Sequence, residues 1–358
     1  ASFSDNDNII NYTEANNNEQ RTVSFTFNET MNTNVVPAMA YENISGGGDT
    51  YTILSSGWSD STTYEQTLEF AANGVDTPVT VEVSGAEDTD GNQMNTERPL
   101  QFTVDTRQPG DPNNVRIDTP QINITNENSV TATLVNPDSL DDDETAVISI
   151  VNTTTGDSVT VEEDITTSEG EETTVTGIDV SPLPDGFVSA RGYVRDDAGN
   201  NGGTVTNDQT VKDTARPTIT TFENVQVNKD TNEAIIGNLE IEDSESGLSS
   251  VNVTVSNPNG DLVGSRNETG LSGDSTFGRM DYSIATTGIQ PNKEYTITVV
   301  SADSVMNEES DSRTAEDQPG GGPQEEQPGH GRAQHERGHG GPAGEKGDEP
   351  EQPEIQGR

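Results

Sequence analysis

Residues 78–83 read "PVTVEV", and valine alternates with polar residues through this stretch. The three valines therefore lie on one side of an extended chain, and the threonine and glutamate between them lie on the other side. This period of two residues is typical of a β-strand that buries one face and exposes the other. The stretch predicts a strand of an antiparallel sheet that covers a core on one side.

The same alternation recurs along most of the chain. Short apolar-polar stretches are bounded by Gly, Asn, Asp or Pro, which are turn residues. Examples are "TVSFTF" at 22–27, "VTATLV" at 130–135, "AVISIV" at 146–151 and "YTITVV" at 295–300. No stretch sustains the 3.6-residue period of an amphipathic helix over three turns. About seven short strands per 105 residues predict β-sandwich domains.

A short acidic motif divides the chain into repeats. Residues 86–92 ("AEDTDGN"), 194–200 ("VRDDAGN") and 302–307 ("ADSVMN") each place an aspartate four residues before an asparagine. The motif recurs after about 108 residues, which is the length of a domain and too long for a solenoid repeat. In the first two repeats, a last strand then leads into "VDT" at 104–106 or "KDT" at 212–214 and a connection that contains proline.

The repeat predicts domain boundaries near residues 106 and 214. We therefore expect domains at 1–106, 107–214 and 215–316, the first of which includes an N-terminal segment. Residues 317–358 differ, because they are rich in Gly, Pro and Glu and contain Ile355 as their one large apolar side chain. Such a segment cannot bury enough surface to offset the entropy of ordering, so it is expected to be a disordered, flexible C-terminal tail.

The charge of the chain points to a salt-rich environment. It has 64 acidic and 17 basic residues, a net charge of −47. Molar salt reduces the Debye length to about 3 Å and screens this repulsion, so the composition predicts a halophilic archaeon. Nucleic acid is excluded as a partner because no basic face meets phosphates. No apolar run approaches the roughly 18 residues of a membrane helix, and the first residue, alanine, favours export after signal-peptide removal.

Four stretches carry a resemblance to a known family. Residues 23–36 ("VSFTFNETMNTNVV") and 81–94 ("VEVSGAEDTDGNQM") resemble bacterial Ig-like domains of the surface-layer-associated type. Residues 190–202 ("ARGYVRDDAGNNG") and 240–255 ("EIEDSESGLSSVNVTV") are similar to tandem Ig-like modules of large bacterial and archaeal surface adhesins. The resemblance implies an all-β fold of three tandem Ig-like β-sandwich domains end to end. It also implies calcium at the joints between modules.

The repeated motif carries the candidate site. In an Ig-like sandwich the loop before the last strand lies at the end where the chain enters, and the last strand runs to the opposite end. If the domains stack end to end, each motif loop meets the end of the preceding domain, where acidic oxygens suited to Ca²⁺ converge. The candidate metal ligands are Asp105, Asp196, Asp197 and Asn200 at the first joint, and Asp213, Asp243 and Asp303 at the second. The alternative is that the motif is only a turn, because Gly and Asn tolerate positive φ.

The sequence favours a structural role over catalysis. Residues 1–316 contain no histidine and no cysteine, which removes the usual nucleophile systems, so we expect no enzyme. We expect an extracellular structural or adhesive cell-surface rod whose partners are other surface proteins or copies of itself. Two alternatives remain open. One is a filament subunit that lends its N-terminal segment as a strand to a neighbour, and the other is a non-catalytic accessory portion of a secreted enzyme.

Overall fold

The computed structural model describes residues 1–5, 7–46, 50–141 and 143–317. These residues form an all-β structure in which three successive pairs of sheets each enclose a separate apolar core. The predicted fold class, tandem Ig-like β-sandwich domains, is confirmed. The predicted tail lies outside the described residues, except for Asp317. The described part of the chain contains no helix with the length and apolar character that a bilayer span requires.

In the part of the chain that the structure describes, the first sandwich contains eight strands and a short helix. In chain order they are β1 (Ser2–Phe3), β2 (Ile9–Asn11), α1 (Tyr12–Asn16), β3 (Gln20–Thr26), β4 (Ala38–Glu42), β5 (Tyr51–Trp58), β6 (Thr63–Phe70), β7 (Asp76–Ser84) and β8 (Glu97–Asp105). The sheet orders are β1-β3-β6-β5 and β2-β8-β7-β4. The helix begins at a reciprocal capping box between Asn11 and Glu14, which satisfies two backbone donors.

The N-terminal segment belongs to the first sandwich. Strand β1 pairs antiparallel with β3, and β2 pairs parallel with β8. Phe3 is 8% exposed and Ile10 is 1% exposed, so both side chains contribute to the core. Strand exchange through this segment would first require its release from these two sheets.

The second and third sandwiches contain seven strands each among the described residues. The second comprises β9 (Asn114–Ile117), β10 (Val130–Val135), β11 (Thr145–Asn152), β12 (Ser158–Asp164), β13 (Glu172–Ile178), β14 (Gly186–Arg195) and β15 (Val205–Lys212). The third comprises β16 (Thr218–Asn228), β17 (Glu233–Glu242), β18 (Leu248–Ser256), β19 (Leu262–Asp274), β20 (Thr276–Ala285), β21 (Glu294–Asp303) and β22 (Glu308–Glu316). Their sheet orders are β13-β10-β9 with β12-β11-β14-β15, and β16-β17-β20 with β19-β18-β21-β22.

The alternating pattern produces the cores directly. Val79, Val81 and Val83 on β7 are at most 1% exposed, while the threonine and glutamate between them keep partial contact with solvent. In each sandwich the acidic motif forms the loop between the last two strands. The chain leaves the first sandwich after β8 and the second after β15, so these two linkers adjoin the motif loops of the following sandwiches.

Candidate cation site and domain joints

The acidic motif forms the same turn in all three sandwiches. In each copy the asparagine N–H donates to aspartate Oδ1 at 2.8 Å, and asparagine Nδ2 donates to Oδ2 at 2.7–2.9 Å. The residue before the asparagine has a positive φ in every copy, and it is Gly91, Gly199 or Met306. Methionine at φ 71° is uncommon, because a side chain in this region costs energy that glycine avoids.

The asparagine of the second sandwich also binds the first. Asn200 Nδ2 donates to the carbonyl oxygens of Asp105 at 3.0 Å and Arg107 at 3.2 Å. Its Oδ1 accepts the backbone N–H of Tyr12, at the start of helix α1. Asn200 is 1% exposed, so one buried amide side chain joins the linker, the first sandwich and its own turn. This contact network is the first joint.

The second joint repeats these contacts. Asn307 Nδ2 donates to the carbonyl oxygens of Asp213 at 2.8 Å and Ala215 at 2.9 Å. Its Oδ1 accepts the backbone N–H of Ile124 at 3.1 Å, and the residue is 2% exposed. In both joints the two carbonyls belong to residues two apart, at or just past the end of the last strand, and the N–H donor follows an asparagine. The same interface is therefore built twice.

Three carboxylates meet at the second joint. Asp213, Asp243 and Asp303 place oxygen atoms within 4.8 Å of one another. Their exposed fractions are 0%, 5% and 1%. They come from the linker after β15, the loop after β17 and the motif at the end of β21, so the cluster forms only when the two sandwiches are in contact. Among the described residues, no Lys or Arg forms an ion pair with any of them.

Backbone hydrogen bonds hold these carboxylates in place. Asp213 accepts the N–H of Ala215 at 2.9 Å and the N–H of Ser246, in the third sandwich, at 3.0 Å. Asp243 accepts the N–H of Gly247 at 2.7 Å. Each carboxylate keeps lone pairs that these bonds do not use, because a carboxylate has about four acceptor positions.

Burial makes the negative charge of this cluster costly. Burial raises the pKa of Asp213, and the negative charge of Asp243 raises this pKa further. Burial likewise raises the pKa of Asp303, with an additional contribution from Asp213. The hydrogen bonds oppose these shifts without reversing them. A bound cation or a proton would offset the uncompensated charge.

The first joint contains a positively charged side chain, that of Arg107. Arg107 Nη2 lies 3.0 Å from Asp76 of the first sandwich and 3.0 Å from Asp141 of the second. The position equivalent to Arg107 in the second joint is Ala215, since each supplies the second carbonyl oxygen that accepts a hydrogen bond from the joint asparagine. The two joints thus share their hydrogen bonds and differ in the charges around them.

The predicted carboxylate ligands of the first joint are less enclosed than those of the second. Burial raises the pKa of Asp105 to about 6, and the charges of Asp196 and Asp76 add to the effect. Burial also raises the pKa of Asp196, and the neighbouring Asp197 contributes to this shift although it is itself exposed. The amide of Asn200 is occupied by the four protein contacts described above.

Glu144 is a further acidic residue of the first joint that the sequence analysis did not select. It is 2% exposed, and its Oε2 has no hydrogen-bond partner among the residues that the structure describes. Burial raises its pKa, with contributions from the charges of Asp141 and Asp196. The available signal was the acidic run at 141–144, which precedes a strand just as "EDSESG" does at 242–247.

Comparisons with known proteins leave the family open. No protein-family model matches the chain, and no curated protein matches it. A solved tetra-tandem repeat from the extending region of a large adhesion protein is 19% identical, covers 86% of this chain and 73% of that one, and has a TM-score of 0.26. The FN1–FN3 domains of chicken CNTN1 are 10% identical, with coverages of 82% and 98% and a TM-score of 0.28. These TM-scores lie below 0.5, so neither likeness carries an argument about function.

Proposed function

We propose that this chain is a structural spacer of an extracellular or cell-surface protein. The observation that supports the proposal is the repeated joint, in which Asn200 and Asn307 each bind two linker carbonyls and a backbone N–H of the preceding sandwich. Such joints restrict rotation between modules, and a spacer or stalk needs this restriction. The net charge of −47 fits export by a halophile, because it keeps the surface hydrated in brine.

We further propose that the second joint binds Ca²⁺ through Asp213, Asp243 and Asp303. Three buried carboxylates from two sandwiches supply hard oxygen ligands, and water or backbone oxygens would complete the roughly six to eight that Ca²⁺ prefers. The comparison with the first joint supports this assignment. There the guanidinium of Arg107 faces acidic residues from both sandwiches, whereas Ala215 supplies no charge at the second joint.

Small-angle scattering tests both proposals. The full chain is measured at constant molar NaCl with Ca²⁺ or with a chelator. We expect the maximum dimension and the flexibility to increase on chelation, because repulsion among the three carboxylates then opens the second joint. Asp303→Asn should remove this response. Asp118→Asn is the control, since it changes a carboxylate whose ion pair with Arg116 lies away from the joints.

Different outcomes separate the two proposals. A rigid profile that is insensitive to chelation would contradict the calcium site and leave the spacer role standing. A flexible profile with and without Ca²⁺ would contradict the spacer role itself. The filament and accessory-domain alternatives predict, respectively, filaments by electron microscopy and a catalytic domain on the same polypeptide.

A further inference from the structure

The motif turn of the first sandwich has the geometry of the joint turns but is exposed. Asn92 Nδ2 donates to Asp88 Oδ2 at 2.7 Å, as its counterparts do. Asn200 and Asn307 are almost completely buried by the sandwich that precedes them, whereas Asn92 is exposed. Within the described residues, the side chain of Asn92 makes no hydrogen bond beyond its own turn.

A cleft lies directly beside this exposed asparagine. It has a volume of about 350 Å³ and is lined in part by Phe25, Phe27, Met31, Asn92 and Met94. Three of these side chains belong to the apolar core of the first sandwich or pack against it. The cleft therefore exposes apolar surface at the end of the sandwich where the joints form in the other two.

The linker fills the corresponding place in the second sandwich. Gly203 N–H donates to Asp111 Oδ1 at 2.6 Å. A Cβ atom on Gly202 would lie only 2.8 Å from the carbonyl oxygen of Gly110. Residues 110–111 therefore lie against the second and third positions after the motif. Because Met94 and Asn95 hold the equivalent positions in the first sandwich, the cleft is where an incoming linker would lie.

The complementary half of a joint lies at the end of the third sandwich. Lys229 follows an asparagine at the end of β16, as Tyr12 and Ile124 follow asparagines in their sandwiches. The N–H groups of Tyr12 and Ile124 donate to the joint asparagine of the next sandwich. The N–H of Lys229 donates instead to Asp317 Oδ1 at 3.0 Å. The Asp317 carboxylate thus occupies the acceptor position that an asparagine amide holds in the joints.

The sequence after Asp317 resembles the first linker. Gln318, Pro319 and Gly320 repeat the tripeptide Gln-Pro-Gly found at 108–110, and they lie outside the described residues. Within the described residues, the motif turn of the first sandwich therefore has no joint partner. The third sandwich ends in a backbone donor, the N–H of Lys229, and is followed by a linker-like sequence.

We propose that the first sandwich binds the C-terminal end of the third sandwich of a second copy. Asn92 Oδ1 takes the place of the Asp317 carboxylate on Lys229 N–H, and Asn92 Nδ2 donates to the backbone of the incoming linker. The segment that begins at Gln318 then fills the cleft beside Met94. This contact joins two different surfaces, so it extends into head-to-tail chains of copies. It goes beyond the spacer role and does not depend on a cation.

Light scattering after size-exclusion chromatography tests the proposal on the full chain at molar NaCl. The mass of the wild type should rise with concentration from one copy to two or more. Asn92→Ala should weaken association about tenfold, because it removes hydrogen bonds that together contribute about 1.4 kcal/mol. Asn95→Trp fills the cleft without touching the Asp88–Asn92 bonds and should keep the chain at one copy. Asn259→Ala, in an exposed turn of the third sandwich, should behave as the wild type.

Two further experiments make the test decisive. Asp317→Ala releases the N–H of Lys229 and should strengthen association. The chain has no cysteine, so Asn95→Cys mixed with Gln318→Cys should form disulfide-linked pairs, and Asn259→Cys mixed with Gln318→Cys should not. Circular dichroism checks that each variant is folded. A mass of one copy at every concentration for both the wild type and Asp317→Ala, or equal crosslinking in the two mixtures, would overturn the proposal.

Discussion

The side-chain amide nitrogen of Asn307 lies 2.8 Å from the backbone carbonyl oxygen of Asp213. Asn200 makes the same contact with Asp105 at 3.0 Å. Each contact crosses from one sandwich to the end of the sandwich before it, and each asparagine is held by an aspartate four residues earlier. A motif that looks like surface turn chemistry therefore also determines how neighbouring modules attach.

Asn307→Ala should destabilise the chain more than Asn92→Ala. Both substitutions remove the bond to the motif aspartate, but only the first removes the acceptor of Ile124 N–H and the donor to two linker carbonyls. An unsatisfied buried polar group costs about 1–3 kcal/mol, so we expect a difference of about 2 kcal/mol. Urea unfolding at constant molar NaCl measures it. Equal losses would show that the joint contacts contribute nothing to stability.

Lys212→Ala should cost more than Arg107→Ala. The Lys212 ammonium is 2% exposed and lies 3.0 Å from Asp185 and 3.3 Å from Glu127, so its removal leaves two carboxylates without their partner. Breaking a buried pair costs about 3–5 kcal/mol, whereas an exposed pair contributes about 0–1 kcal/mol. The side chain of Arg107 is 48% exposed, so its ion pairs are of the exposed kind. Comparing the two variants by urea unfolding checks this order, and a larger loss for Arg107→Ala would contradict it.

In the presence of a chelator, stability should increase as the pH is lowered from 7 towards 5. Asp105 has a pKa of about 6 in the folded chain and 3.8 as its ordinary value. The folded state therefore binds the proton more tightly, and the stabilisation is complete below about 3.8 and lost as the pH rises through 6. The raised pKa values of Asp213 and Asp303 act in the same direction.

Melting temperatures at several pH values measure this effect. Asp105→Asn should flatten the profile, and Asp118→Asn is a control at a carboxylate whose ion pair with Arg116 lies away from the joints. Saturating Ca²⁺ should also reduce the gain at low pH, because protons then compete with the cation for Asp213 and Asp303. A melting temperature that falls steadily between pH 7 and 5 with chelator would contradict this account.

Dilution of salt should unfold the chain. The net charge is −47, and the Debye length increases from about 3 Å in molar salt to about 10 Å at 0.1 M, so repulsion then acts across and between sandwiches. Circular dichroism during stepwise dialysis checks this prediction. A β-type spectrum unchanged at 0.1 M would contradict the assignment to a halophile.

The sequence was sufficient to predict the sandwiches and the residues that approach one another at the second joint. When one face of a sheet is buried, alternation such as that of Val79, Val81 and Val83 determines which side chains of the strand face the core. Each motif loop lies at one end of its repeat and each "DT" stretch at the other, which predicted that Asp243 and Asp303 approach Asp213. The structure brings these three carboxylates together. Their role as calcium ligands stays a prediction.

Other features had no clear signal in the sequence. The partners of Asn200 and Asn307 across the joints are backbone carbonyl and N–H groups, which nearly every residue possesses, so residue type cannot reveal them. Glu144 precedes β11, and the connection from β10 to β11 is longer than the connection from β17 to β18 in the third sandwich. This difference in length hides the correspondence between the acidic run at 141–144 and the acidic loop at 242–247. Helix α1 spans five residues, which is too short for a helical period, and only the pairing of Asn11 with Glu14 indicates where it begins.

We infer that the joint asparagine fixes each sandwich to its predecessor, and the separation of two labels across the second joint tests this claim. Spin labels at Thr160→Cys and Thr314→Cys, two exposed positions in different sandwiches, report the distribution of separations by pulsed electron paramagnetic resonance. At molar NaCl with Ca²⁺ we predict one narrow distribution, which Asn307→Ala broadens and Asn92→Ala leaves unchanged. A distribution that is already broad, or one whose width is the same with Asn307→Ala, would contradict the claim.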